Sequence, residues 1–132
     1  MKKSLEIAGL SVDFVPEKPA PLPDMTREQR DEWIAIVDRM DEDWFPRESH
    51  QLLAQYCRHA CEARRISGII TAHTLDPAVT ETWLKQYDRL LKIQEREGRA
   101  MSSLATRLRI TQQSTIDKRR DKPLEPDAPW ED

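Results

Sequence analysis

Apolar positions along the chain fall into helical rather than alternating spacing, and they predict three main helices separated by prolines. The first is expected from Thr26, where Gln29 three residues on completes a capping box, to about Asp41. Its inward face would be Trp33, Ile36, Val37 and Met40. Trp44 and Phe45 follow as a hydrophobic corner. A second helix is expected from about Pro46 to Ile69, with Leu52, Leu53, Tyr56, Cys57, Ala60, Ala63 and Ile66 inward and Ser67-Gly68 weakening its end. A short loop through His73 would then lead to Asp76-Pro77, an N-cap acceptor followed by a proline at the first helical position.

The third helix organises the rest. Trp83, Tyr87, Leu90, Met101, Leu104 and Leu108 share one four-three seam, broken only by Gln94 and Glu97. From Pro77 to about Leu108 such a helix would be roughly 45 Å long at 1.5 Å per residue. A compact chain of this size has a radius of gyration of roughly 14 Å, so the seam is expected to face another copy. Gly98 inside it predicts a bend or a close helix contact. Thr111 can cap a fourth, short, basic helix reaching about Arg120. No alternating pattern of any length and no internal repeat is present, so the fold class is all-α.

The nine prolines divide the chain. Pro16, Pro19, Pro21 and Pro23 make 1–24 an extended arm, with room for one short strand around 5–14. Residues 25–120 form a helical oligomerisation and recognition domain, and 121–132, with Pro123, Pro126 and Pro129, an acidic tail expected to be disordered.

Composition sharpens this. Charged residues make up 34% and hydrophobic ones 38% of 132, which allows a small helical core and favours self-association. The net charge of −3 is distributed in blocks. Between Asp24 and Glu48 nine acidic residues oppose four arginines; between Arg107 and Lys122 six basic residues oppose Asp117 and Asp121. Arg107, Arg109, Lys118, Arg119, Arg120 and Lys122 flank Gln112 and Gln113, side chains suited to phosphates and base edges. That run is therefore the candidate DNA-binding segment, although a solvated basic helix end has the same composition.

Other chemistry is thin. Asp38, Asp41, Glu42 and Asp43 crowd one helix end instead of converging from several elements, as a Mg²⁺ site requires. Cys57, Cys61, His50, His59 and His73 lack paired zinc-ligand spacing. Three glycines leave no phosphate-cradling loop, and no nucleophile elbow is present, so no enzyme, metal or cofactor is expected. Cys57 and Cys61, four apart on one helix, suit free thiols in a reducing cytoplasm. Met1-Lys2-Lys3 is followed by Glu6 and Asp13 rather than by an apolar run, which argues against a secretory leader, and no segment has the length of a membrane span.

Two patterns remain. Leu104-Ala105-x-x-Leu108-x-Ile110-Thr111, with Ile116 beyond, resembles the first half of a helix-turn-helix whose turn glycine would fall at Arg109. More broadly, the chain resembles the small terminase subunits of tailed bacteriophages over about 26–116. Trp33 on the first helix, Leu53-Ala54-Gln55-Tyr56 on the second and Trp83-Leu84 through Leu104 on the third carry the likeness. Leu108-Arg109-Ile110-Thr111-Gln112-Gln113-Ser114 stands where that family closes with Leu-Gly-Leu-Thr-Pro-Ser/Ala, with arginine for the glycine and Gln112 for the proline. The tail ending Pro129-Trp130-Glu131-Asp132 is also of a type found there.

The resemblance implies a non-catalytic subunit in the cytoplasm of a bacterial host. It would assemble as a homo-oligomeric ring, recognise double-stranded viral DNA at the packaging-initiation site, and regulate the large ATPase/nuclease subunit. Trp130 would dock that large subunit. A dimeric helix-turn-helix transcription regulator and a helical adaptor without nucleic-acid contact are the alternatives.

Overall fold

Thr26 starts the first helix as its side chains dictate: the Gln29 amide donates to Thr26 Oγ1 (3.2 Å) and the Thr26 amide to Gln29 Oε1 (3.0 Å). A computed structural model describes residues 18–111 and the backbone of 3–7 and 10–14. In it α1 spans Arg27–Arg39. Trp33, Ile36 and Val37 are buried along it, and Met40 packs on the same core at its end. Ahead of it, β1 (Lys3–Ile7) and β2 (Leu10–Phe14) pair antiparallel, Lys3 opposite Phe14 and Ile7 opposite Leu10. Residues 18–111 are otherwise helices and connections.

Pro46 opens a single 3₁₀ turn, Arg47–Ser49, so the second helix starts four residues later than its proline suggests. This helix, α2, spans His50–Thr74 and passes straight through Ser67-Gly68. The expected end at Ile69 and the loop at His73 are therefore wrong. An exposed helical glycine costs only about 1 kcal/mol relative to alanine. Ile70 and His73 continue the packing of Ile66 beyond Gly68, and the hydroxyls of Thr71 and Thr74 bond carbonyls of the preceding turn.

α3 spans Glu81–Leu108, about 42 Å at 1.5 Å per residue. Its cap is Thr80, whose Oγ1 accepts from the Trp83 amide (3.1 Å). Asp76 does not cap it as expected; its carboxylate accepts from the Ala78 amide (3.0 Å) and holds Pro77 in the connecting loop. An acceptor that can close a local turn competes with its use as a helix cap.

α2 and α3 form an antiparallel pair. On α2, positions 52, 56, 59, 63, 66, 70 and 73 follow the same four-three spacing as the α3 seam, and all are at least partly buried. The two polar positions of the α3 seam meet polar partners: His59 contacts Glu97, and Gln94 reaches Ser67 Oγ at 3.5 Å. At the loop end, His73 and Trp83 stack at 4.5 Å, and Trp83 stacks on Tyr87 at 5.0 Å. His73 Nε2 donates to the Trp83 carbonyl and Trp83 Nε1 to the His73 carbonyl, both 3.0 Å. The seam expected to face another chain is thus covered by α2 of the same chain.

α1 lies along only the first half of α2. Arg64 grips Glu28 (2.9 Å) and Glu32 (3.0 Å) near the start of α1, and Trp33 meets the His50 ring edge-on. The main core gathers where the three helices overlap, around Trp33, Trp44, Phe45, Leu53, Cys57 and Leu108. Beyond Arg64 the molecule continues as a two-helix arm. Of the six large apolar side chains exposed among the described residues, Ile69, Leu75, Val79, Leu84 and Leu91 lie on this arm and only Ile34 lies elsewhere.

Candidate nucleic-acid interface

The end of α3 is closed by a turn with an unusual occupant. Arg109 is the one non-glycine residue with positive φ among those described (φ 59°, ψ 36°). Its amide donates to the Thr106 carbonyl (3.1 Å), and the Ile110 amide reaches back to Ala105 (3.0 Å). These are the two bonds of a Schellman ending, and Ile110 packs on the core as that motif's apolar partner. Trp44 Nε1 donates to the Leu108 carbonyl (3.2 Å) across the core, which ties the corner after α1 to the last turn of α3.

This junction presents a cleft of about 310 Å³ lined by Asp43, Trp44, Pro46, Ser49, Arg107, Leu108 and Arg109. Arg107 and Arg109 are exposed there, with Asp43 as the one carboxylate in the lining. The arrangement can hold an anionic group against two guanidinium side chains; it offers no paired nucleophile and base. The other candidate DNA-binding residues, Gln112, Gln113, Lys118, Arg119, Arg120 and Lys122, lie outside the described residues, as do the fourth helix and Trp130. Of the candidate interface residues, Leu104 and Leu108 are buried, and Trp83, Tyr87, Leu90 and Met101 are partly buried against α2.

The cysteines and histidines do not converge. Among the described residues no group of three His, Cys, Asp or Glu could hold a metal ion. Cys57 is fully buried, and burial, reinforced by the nearby Glu32 charge, pushes its thiol up to about 12. Burial likewise raises Cys61. His50 Nε2 donates to the Phe45 carbonyl (3.1 Å), and His59 is engaged by Glu97. Arg58 bonds Asp24 (3.0 Å), and Arg64 is raised further by its bonds to Glu32 and Glu28. These α2 cations are occupied inside the fold. No helix among the described residues is long and apolar enough to cross a membrane.

A second basic feature escapes a reading directed at the seam. Lys85, Arg89, Lys92, Arg96 and Arg99 are all exposed and follow the same four-three spacing on the opposite side of α3, and exposed Arg107 lies about five turns on from Arg89 on that side. Lys85, Lys92 and Arg99 pair with Glu81, Asp88 and Glu95 one turn back, at 3.4, 2.9 and 3.3 Å. Arg89, Arg96 and Arg107 take part in no ion pair among the described residues. The signal was present in the sequence as a periodicity of charge, parallel to the periodicity of apolar residues.

Comparison with models of known protein families, with known proteins and with solved structures gives no match.

Proposed function

We propose that the chain is a non-catalytic, self-assembling DNA-recognition subunit of the small-terminase kind, acting in a bacterial host on double-stranded viral DNA beside a large ATPase/nuclease subunit. The observation that carries this reading is the ending of α3. The signature it resembles places glycine within Leu-Gly-Leu-Thr, and Arg109 at that position holds the left-handed conformation that glycine adopts most readily. The departure in sequence is not a departure in backbone. Leu108 and Ile110 on either side turn inward, as apolar positions flanking such a turn should.

Self-association is supported by the two-helix arm, not by the seam. Leu75 and Val79 are 78% and 63% exposed in its loop, and Leu84 and Leu91 stand seven residues apart on one flank of α3. A head-to-tail contact through such a flank closes a ring when its rotation closes. Native mass spectrometry tests this, with and without a duplex fragment: the expected species is several-fold heavier than the 15.5 kDa chain and gains mass with DNA. A lone 15.5 kDa species at working concentration would remove the reading.

The same left-handed turn suits a helix-turn-helix, whose turn glycine Arg109 would replace. A stable dimer on a palindromic duplex would favour that regulator instead.

A further inference from the structure

The outward face of α3 is a charged surface to which the fold among the described residues gives no task. Going round the helix at 3.6 residues per turn, four rows succeed one another. Arg89, Arg96 and Arg107 come first, then Lys85, Lys92 and Arg99, then the acids Glu81, Asp88 and Glu95, and finally the exposed Leu84 and Leu91. The acids pair only with the second row. The first row is all arginine and exposed, and none of its members is ion-paired among the described residues, although Asp88 lies beside Arg89 and Asp43 across the cleft from Arg107.

We propose that this face is a phosphate-binding track for duplex DNA, continuous through Arg107 with the cleft at the end of α3. The proposal rests on the DNA-binding reading above and assigns it a surface which that reading did not use. Three features favour a duplex over an acidic protein. The unpaired cations are guanidinium groups, whose planar fork engages phosphate oxygens in pairs. From Lys85 to Arg107 the line runs roughly 33 Å, close to the ~34 Å of one duplex turn. No aromatic side chain lies on the track, whereas protein partners need buried apolar anchors.

The test uses the full chain and a short fluorescent duplex, with affinity measured by anisotropy between about 50 and 200 mM salt. Arg89→Gln with Arg96→Gln should lower the slope of log affinity against log salt by about 1.8, two phosphate contacts at about 0.9 each. Helix content and native mass should be unchanged. Arg27→Gln with Arg39→Gln, which removes the same charge from α1, should leave the slope near that of the parent chain. A slope unchanged by the α3 pair, but lowered by Arg119→Ala with Arg120→Ala, overturns the track and leaves the DNA-binding reading intact. Equal losses from the α1 and α3 pairs overturn it as a general charge effect. A fall in oligomer mass makes the row a contact between copies and overturns it too. Failure of the parent chain to bind duplex removes both readings.

Discussion

Arg109 accepts a backbone conformation that costs an L-residue roughly 1–2 kcal/mol, because α3 has to stop there. Two backbone bonds and the inward packing of Ile110 outweigh that cost. Arg109→Gly should therefore raise stability by about 1 kcal/mol, read as a higher urea midpoint with unchanged m-value. A lower midpoint would mean that the guanidinium makes a contact that outweighs the strain. Cys57 gives a second prediction. Its thiol is held near 12, against about 8.5 in an unfolded chain, so the unfolded state releases the proton first as pH rises. The contribution is intact below about pH 8.5 and declines as pH climbs from about 9 towards 12. Cys57→Ala, compared with the parent chain, should flatten that alkaline decline. Below about pH 8, native Cys57 should resist alkylation that the unfolded chain accepts.

The antiparallel pair shows how far the sequence could be read at the scale of an element. The seam of α3 was legible because apolar side chains hold one spacing on either side of Gln94 and Glu97, and the capping box of α1 because Thr26 and Gln29 have few other uses. The partner of the seam was not legible. α2 carries the matching spacing, but two small residues, Ser67 and Gly68, look like an ending when cross-helix packing is invisible. The same blindness moved the start of α3, because Asp76-Pro77 and Thr80 are both adequate caps and only the loop geometry decides between them. The arginine row was hidden for a different reason: a charge periodicity has no core to announce it.

Gly68 and Gly98 follow from that packing. A Cβ at either would meet nothing within 4 Å, so neither marks a close contact inside the chain. Gly68→Ala and Gly98→Ala should each stabilise by roughly 0.5–1 kcal/mol in denaturant titrations at low protein concentration. A loss of assembly in the Gly98 variant alone would place that residue against another copy. The stacked His73, Trp83 and Tyr87 close the far end of the arm. His73→Ala removes the Nε2 bond to the Trp83 carbonyl and the ring stacking there, leaving the Trp83 Nε1 bond to the backbone carbonyl of residue 73. It should speed amide exchange in the last turns of α2 and the first turns of α3 while leaving α1 protected. Uniform acceleration would mean that the arm and the core open together.

At the scale of the molecule, the three-helix core and the two-helix arm have different demands. The core buries Trp33, Ile36, Leu53 and Cys57 almost completely. The arm leaves five large apolar side chains in water. Leu84→Glu with Leu91→Glu should therefore lower the native mass without lowering helix content, because neither leucine belongs to the core. Unchanged mass would move the assembly contact elsewhere, towards Ile34 on α1.

The antiparallel path also gives the molecule a direction. Lys18 Nζ bonds the Asp38 carbonyl, close in sequence to Trp44, and Trp44 holds Leu108 just before the chain passes Thr111. Lys18 and Thr111 thus lie towards one pole of the described fold, and the apolar loop marks the other. In any parallel array of copies that pole of every copy would come to the same rim. A partner that grips the rim would meet the same surface once per copy, and could gain avidity from weak individual grips.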